Sequence, residues 1–118
     1  MDHMAAVRAL AALAQESRLT IFRRLVEAGP RGLPAGDIAK AAGVSATVFS
    51  FHIKELERAG LVTASRQGRY IRYALHVEVV RQLLSFLADD CCGGQSELCG
   101  AVFGRVSRIC SDGETGND

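Results

Sequence analysis

Apolar residues recur at helical spacing over most of the 118-residue chain, and two β-type runs interrupt that spacing near its middle. The pattern predicts a helix over residues 5–13, a second helix for which Ser17 is the N-cap, and a short third helix that begins near Pro34. The second helix is expected to end at Gly29-Pro30, because proline cannot continue a helix. The apolar stripes of the first two helices consist of Val7, Leu10 and Ala14, and of Leu19, Phe22, Leu25 and Val26.

The junction between the third and fourth helices follows the pattern of a helix-turn-helix motif. Gly43 ends one helix and Ser45 can cap the next, as expected for the tight turn of this motif. The fourth helix is predicted over residues 46–59. Its solvent-facing positions begin with small, hydroxyl-bearing or basic residues, and acids follow only at positions 55 and 57. Its inward apolar stripe, at helical spacing, consists of Phe49, Ile53 and Leu56.

An arginine-tipped hairpin follows the motif. The β-type runs 61–65 and 70–75 flank a turn in which Gly68 supplies a positive φ. A strongly apolar helix then begins at Val77, and part of its wide stripe is expected to meet a partner chain. Together these elements predict a mainly α fold with a β-hairpin wing, the winged helix-turn-helix. In that architecture the second helix of the motif enters the DNA major groove and the wing reaches phosphates. A protein-binding helix–hairpin domain is the alternative.

The distribution of charge supports a polyanionic partner more than the net charge of +1 does. Residues 43–75 contain five basic and two acidic side chains, whereas residues 76–118 contain three basic and seven acidic ones. No apolar run approaches the ~18–20 residues of a membrane span and the N-terminus lacks a signal-peptide layout, so we expect a cytoplasmic protein with no membrane partner. No nucleophile–base pairing or phosphate-binding glycine loop is visible, and we do not expect an enzyme.

Three of the four cysteines, Cys91, Cys92 and Cys99, fall within nine residues, and Cys110 lies eleven residues further on. Cytoplasmic cysteines stay reduced, which favours metal or redox chemistry over disulfides. Trivalent arsenic binds three thiolates in a pyramid, whereas zinc prefers four ligands and would need Cys110 or a histidine as well. Cadmium, lead and copper(I) also accept soft thiolates, and oxidation of Cys91 or Cys92 with Cys99 is a rival redox switch. Cys110 is interpreted as a bystander.

Residues 51–62, together with the 43–45 turn and the 68–69 wing tip, resemble the ArsR/SmtB family of bacterial metalloregulatory repressors. The resemblance covers roughly residues 5–90. It implies a homodimer, held by the first and last helices, that sits on palindromic double-stranded operator DNA and leaves it when a metal or metalloid binds. Zinc sensors of the family commonly use acids and histidines on the last helix, but here no histidine follows His76. The cysteine-rich ending is instead similar to that of an arsenic-responsive subgroup.

On this resemblance, As(III) or Sb(III) is the expected inducer, bound by Cys91, Cys92 and Cys99, and no organic cofactor is expected. The predicted function is therefore an arsenite- or antimonite-responsive transcriptional repressor. The alternative is a thiol-based redox sensor, or a Cd/Pb/Zn-responsive repressor, of the same fold. The predicted segments are a DNA-binding and dimerisation domain over 1–90, an inducer-binding segment over 91–110 and a disordered tail over 111–118.

The same resemblance implies which residues contact DNA. His52 has a competing role as a packed or helix-capping side chain. Phe51 is interpreted as packing in preference to a contact with thymine methyl groups, and Arg72 is a weaker candidate than the arginines at the wing tip. The expected DNA contacts are Ser45, Thr47, Ser50, His52, Lys54, Arg66 and Arg69.

Overall fold

Five α-helices, three β-strands and one 3-10 turn follow one another along residues 1–91, the part of the chain that the computed structural model describes, with side chains through residue 88. The chain divides into two units, of which residues 1–83 form the first. The predicted segments 91–110 and 111–118 lie outside the described residues, apart from the backbone of Cys91. The elements are α1 (His3–Leu13), α2 (Glu16–Ala28), a 3-10 turn (Gly29–Arg31), β1 (Leu33–Pro34), α3 (Ala35–Ala42), α4 (Ala46–Arg58), β2 (Val62–Gln67), β3 (Tyr70–Leu75) and α5 (Val77–Cys91).

Aliphatic side chains of α2, α3 and α4 form the core of the first unit. Burying a side chain of this size stabilises a fold by about 1.5–3 kcal/mol relative to leaving it exposed. The ring of Phe49 also meets the ring of Tyr73 edge-to-face, with centroids 5.9 Å apart and planes at 74°, which packs α4 against β3. The predicted inward stripe of α4 is thereby confirmed. The largest of the fully buried side chains are Ile21, Leu25, Ile38, Ile53, Leu56 and Leu61.

The wing is an antiparallel sheet in the order β1-β3-β2. Gln67 pairs with Tyr70, so the loop between β2 and β3 has two residues, and Gly68 begins it with a φ of +62°. A positive φ at the first loop position is what a type II′ hairpin turn requires, and the predicted role of Gly68 is confirmed. The sequence places the start of the third helix near Pro34, but Leu33 and Pro34 form the strand β1 and α3 begins at Ala35. The strand joins the sheet because Gly32, at a φ of +69°, lets the chain pass close to β3: a Cβ on Gly32 would lie 2.1 Å from the carbonyl oxygen of Tyr73.

The first two helices differ from the sequence prediction in their caps and in the side that is buried. Asp2 caps α1 by accepting a hydrogen bond from the N–H of Ala5 at 2.7 Å. Gln15, not Ser17, caps α2, because its side-chain oxygen accepts from the N–H of Arg18 at 2.9 Å. In α1 the alanines at positions 6, 9 and 12 are buried, since small side chains allow a helix to pack closely. Five apolar residues of the predicted stripes are instead exposed: Val7, Leu10, Ala14, Leu19 and Val26.

The last helix, α5, begins at a cap and ends at Cys91. His76 caps it by accepting from the N–H of Val79 through Nδ1 at 3.4 Å. The helix includes the two aspartates at positions 89 and 90. Within the described residues, no helix is both long and apolar enough to cross a membrane.

Candidate nucleic-acid interface

The turn before α4 sets the direction of that helix. Gly43 adopts the left-handed conformation (φ 69°, ψ 32°) that ends α3, and its N–H donates to the carbonyls of Ala39 and Lys40. Ser45 then caps α4: its Oγ accepts a hydrogen bond from the N–H of Val48 at 3.2 Å. This is the helix-turn-helix that the sequence predicts, and it leaves the start of α4 free of acidic residues.

The outer face of α4 presents most of the residues that the sequence singles out. Ser45, Thr47, Ser50 and Lys54 are all exposed. Phe51 is 59% exposed, so its interpretation as packing is wrong: the inward positions of the helix are already filled and the ring projects outward. Its edge contacts the neighbouring imidazole ring, with centroids 5.4 Å apart. The first two turns of α4 therefore offer hydroxyls, an ammonium group and an apolar ring.

His52 lies on the opposite side of α4 and has 8% of its surface exposed. Its Nδ1 lies 3.2 Å from Nη1 of Arg18, and Nε of Arg18 also donates to the carbonyl of Ala12 at 2.6 Å. Because a guanidinium group can only donate, Nδ1 of His52 accepts and the ring is neutral. Burial, and secondly the charge of Arg18, lower the pKa of His52 below its ordinary value of 6.5. His52 is therefore a packed side chain, as the alternative prediction had it, and not one of the exposed residues available to DNA.

The tip of the wing is exposed and basic. Arg66 and Arg69 are both exposed, and Tyr70, at the start of β3, is 71% exposed. Tyr70 is not among the DNA contacts predicted from the sequence, and the signal that could have found it is an aromatic ring directly after the turn. Arg72 has a structural role, because its Nη1 donates to the carbonyls of Arg31 and Gly32 at 3.3 and 3.0 Å and holds β1 against β3.

The start of α4 and the wing border one groove. A cavity of about 260 Å³ is lined by the first turn of α3, by Ala46, Phe49 and Ser50 of α4, and by Ile71 and Tyr73 of β3. Tyr73 is buried, and burial raises the pKa of its hydroxyl above the ordinary value. Of the exposed residues on α4 described above, Ser50 lines this cavity, whereas the wing-tip residues Arg66, Arg69 and Tyr70 do not.

The two side chains at the start of α5 that a zinc sensor of the family could use, His76 and Glu78, both form other hydrogen bonds. Nδ1 of His76 is occupied by the cap. Glu78 accepts from Arg81 at 2.6 Å and from Gln82 at 3.1 Å, and the hydrogen bond from Arg81 lowers its pKa. In the described part of the chain no three His, Cys, Asp or Glu side chains cluster around a possible ion. The side chain of Cys91 and all of Cys92, Cys99 and Cys110 lie outside the described residues, so the three-thiol site stays a prediction.

Comparison with known proteins gives the same fold for the central part of the chain. The model of a family described as helix-turn-helix domain matches residues 13–64. The HTH-type transcriptional regulator NmtR of Mycobacterium tuberculosis is 43% identical over 75 residues, which are 64% of this chain and 60% of NmtR. The chain thus matches about three-fifths of the length of that relative.

Two solved structures extend the similarity to a larger share of the chain. The transcriptional regulator HlyU of Vibrio vulnificus superposes with a TM-score of 0.54 at 32% identity, over 70% of this chain and 85% of HlyU. A domain of Mb0332 from Mycobacterium bovis superposes with a TM-score of 0.60 at 27% identity, over 78% of this chain and 85% of that domain. That domain is described as a homodimeric winged helix-turn-helix DNA-binding domain of a possible ArsR-family transcriptional regulator.

Proposed function

We propose that the chain is a member of the ArsR family of winged-helix transcriptional regulators and that it represses transcription by binding double-stranded operator DNA as a homodimer. The observation that carries this proposal is the outer face of α4, where no carboxylate occurs before position 55. Backbone N–H groups give a helix start a partial positive charge. A helix start with that charge and no acids suits the negative potential of a DNA major groove.

Each exposed residue of α4 has a distinct task in this proposal. The Oγ of Ser45 accepts from the backbone, which leaves its O–H to donate to a phosphate oxygen. Thr47 and Ser50 reach base edges, and Lys54 neutralises a phosphate. Phe51 contacts a thymine methyl group, an apolar contact that the major groove offers only at T·A pairs.

The wing supplies affinity that does not depend on sequence. Arg66 and Arg69 would each neutralise a phosphate, and each contact steepens the salt dependence of binding by about 0.9 in log–log slope. Tyr70 adds a hydroxyl donor beside them. We expect this surface to be needed for tight binding to any duplex, while α4 selects the sequence.

A homodimer is supported by the homodimeric state described for the Mb0332 domain and by an apolar surface on α1. Met4, Val7 and Leu10 follow one another at helical spacing and are 56%, 42% and 41% exposed. A monomer would leave this stripe in water, whereas a second copy would bury it. Because a two-fold dimer carries two copies of α4, the operator is expected to contain half-sites about one DNA turn apart.

The proposal also includes the inducer. Trivalent arsenic, as arsenite, or trivalent antimony, as antimonite, binds Cys91, Cys92 and Cys99. Neutral arsenous acid exchanges its three hydroxyl groups for three thiolate sulfurs, and the three thiol protons leave with those hydroxyls as three waters. The support is the cluster of three thiols within nine residues of sequence, the first of which ends α5. A coupling of about 1–3 kcal/mol between this site and the DNA surface would weaken operator binding ~5–150-fold.

The experiment that tests the DNA proposal is selection of duplexes from a random library by the full-length protein, followed by fluorescence anisotropy with the selected duplex. We expect a site with two half-sites about one DNA turn apart. Thr47→Ala and Lys54→Ala should weaken specific binding, whereas Arg24→Ala on the exposed face of α2 should not. Failure to enrich any duplex would overturn the proposal.

A second titration tests the inducer separately. Arsenite, antimonite, zinc and cadmium are added to the DNA complex in a thiol-free reductant, and peroxide is added without it. Release by arsenite or antimonite is expected. Cys91→Ser, Cys92→Ser and Cys99→Ser should bind DNA and fail to respond, and Cys110→Ser should respond normally. Release by zinc or cadmium alone, or by peroxide alone, would replace the arsenic assignment with the Cd/Pb/Zn or redox alternative while leaving the DNA proposal intact.

A further inference from the structure

A second cleft lies between α1, the start of α2 and the last turns of α4, away from the outer face described above. Its volume is about 320 Å³, and its alanine-lined wall comes from Ala11, Ala12 and Ala59. This volume is at the lower end of the ~300–1,000 Å³ found for small-molecule sites. The cleft therefore has room for a compact ligand and an apolar surface to contact it.

Three guanidinium groups and one carboxylate complete the lining, which gives it a formal charge of +2. Glu55 is paired with Arg58 at 2.6 Å, and Arg18 is held by the carbonyl of Ala12 and by His52. Arg8 forms no hydrogen bond or ion pair within residues 1–88. The side chain of Arg58 is 73% exposed, and it has N–H donors that its partner Glu55 does not use. The cleft thus holds more positive charge than its own carboxylate can neutralise.

We propose that this cleft binds a small organic anion, a carboxylate or phosphate group on a compact apolar body. The planar guanidinium groups of Arg8 and Arg58 hold the anionic end, because their paired N–H donors match the oxygens of carboxylates and phosphates. The alanines contact the apolar body. An inorganic ion would use the arginines and leave the alanine wall in contact with water, which is why an organic anion fits better.

Binding in this cleft acts directly on α4. Arg58 and Glu55 belong to that helix, and Arg18 holds its inner side through His52. A ligand that draws Arg58 away from Glu55 changes the charge and packing behind the surface proposed to contact DNA. This consequence rests on the proposed function, whereas the binding itself does not. By linkage, a ligand that weakens DNA binding by some factor is itself weakened by DNA by the same factor.

Isothermal titration calorimetry on the full-length protein without DNA tests the binding. The probes are benzoate, phenyl phosphate, inorganic phosphate and the uncharged benzyl alcohol. We expect saturable binding of benzoate or phenyl phosphate, the stronger of the two showing which anionic group is preferred. Inorganic phosphate is expected to bind at least about tenfold more weakly, and benzyl alcohol not measurably. Equal affinities of phenyl phosphate and inorganic phosphate, or no saturable binding by any probe, would overturn the proposal.

Matched variants locate the site. Arg8→Gln and Arg58→Gln each remove one guanidinium group from the cleft, and each should weaken the better probe by about tenfold or more. Arg24→Gln removes an exposed arginine of α2 that does not line the cleft, and should bind as the unaltered protein does. Circular dichroism and sedimentation confirm fold and assembly for all three. If Arg24→Gln weakens the probe as much as the cleft variants do, the anion is bound by general surface charge and the proposal fails.

Discussion

Arg18 joins three elements of the first unit, and Arg18→Met is expected to destabilise the fold and loosen α4. Its Nε donates to the carbonyl of Ala12 at the end of α1, and its Nη1 donates to Nδ1 of His52 on α4. Methionine keeps much of the apolar stem but removes both donors. The carbonyl and the imidazole nitrogen would then lie partly buried without their partner.

The magnitude follows from the two bonds. A hydrogen bond from a charged donor contributes about 1.5–3 kcal/mol, so two would contribute about 3–6 kcal/mol if fully shielded from water. Arg18 is half-buried, and water competes for both acceptors once the side chain is shortened. We therefore expect a loss of about 2–3 kcal/mol in the free energy of unfolding, a large fraction of the ~5–15 kcal/mol typical of a domain.

Urea unfolding followed by circular dichroism measures this loss. Protein concentration is held fixed, because the stability of a dimer depends on it. Arg24→Met is the control: this arginine of α2 pairs with the exposed carboxylate of Glu27, a contact of the kind that contributes about 0–1 kcal/mol. Operator affinity should fall for Arg18→Met and stay unchanged for the control.

A loss for Arg18→Met no greater than that for Arg24→Met would refute the assignment of Arg18 as a link between α1 and α4. A double-mutant cycle with His52→Gln isolates the contact itself. We expect a coupling of about 0.5–1.5 kcal/mol, because the two side chains touch directly. If the two losses of unfolding free energy simply add, the loss for Arg18→Met would come from its contact with the carbonyl of Ala12 alone.

Three further predictions concern the wing, the DNA contact and pH. Gly32→Ala is expected to reduce the free energy of unfolding by on the order of 3 kcal/mol and to lower the Tm by about ten degrees or more, because its Cβ would lie 2.1 Å from the carbonyl oxygen of Tyr73. An unchanged Tm would contradict this. Arg69→Ala should reduce the log–log salt slope of operator binding by about one, and Arg24→Ala should not; identical slopes would mean that Arg69 does not touch phosphate. The pKa of His52 is lowered from 6.5, so the unfolded chain takes up this proton first and stability should fall as pH drops below about 6.5; His52→Gln should remove that part of the pH dependence, and an unchanged profile would contradict it.

The helix-turn-helix and the hairpin could be predicted from sequence because their signals are local. Gly43 and Gly68 adopt the positive φ values that their turns need, and Ser45 caps the helix that follows it. Each of these conformations depends on the residue itself and on neighbours within about three positions. The inward stripe of α4 follows from helical periodicity in the same way.

The sequence prediction failed where a residue's surroundings come from distant parts of the chain. Phe51 and His52 are neighbours on one helix, yet the phenyl ring is exposed and the imidazole is buried. Arg18, 34 positions away, supplies the partner of His52, and nothing in the local sequence indicates it. Similarly, residues 33 and 34 become a strand only because β3 lies beside them.

By itself, therefore, the sequence determined which segments are helix, turn and hairpin, since dihedral preferences and periodicity act over a few residues. It also determined that an acid-poor helix start precedes an arginine-tipped turn. The tertiary structure alone decided which polar side chains face solvent, because burial depends on what packs against a residue. It thereby moved His52 from the DNA surface to the interior, and it assembled Arg8, Arg18 and Arg58 from three helices into one cleft.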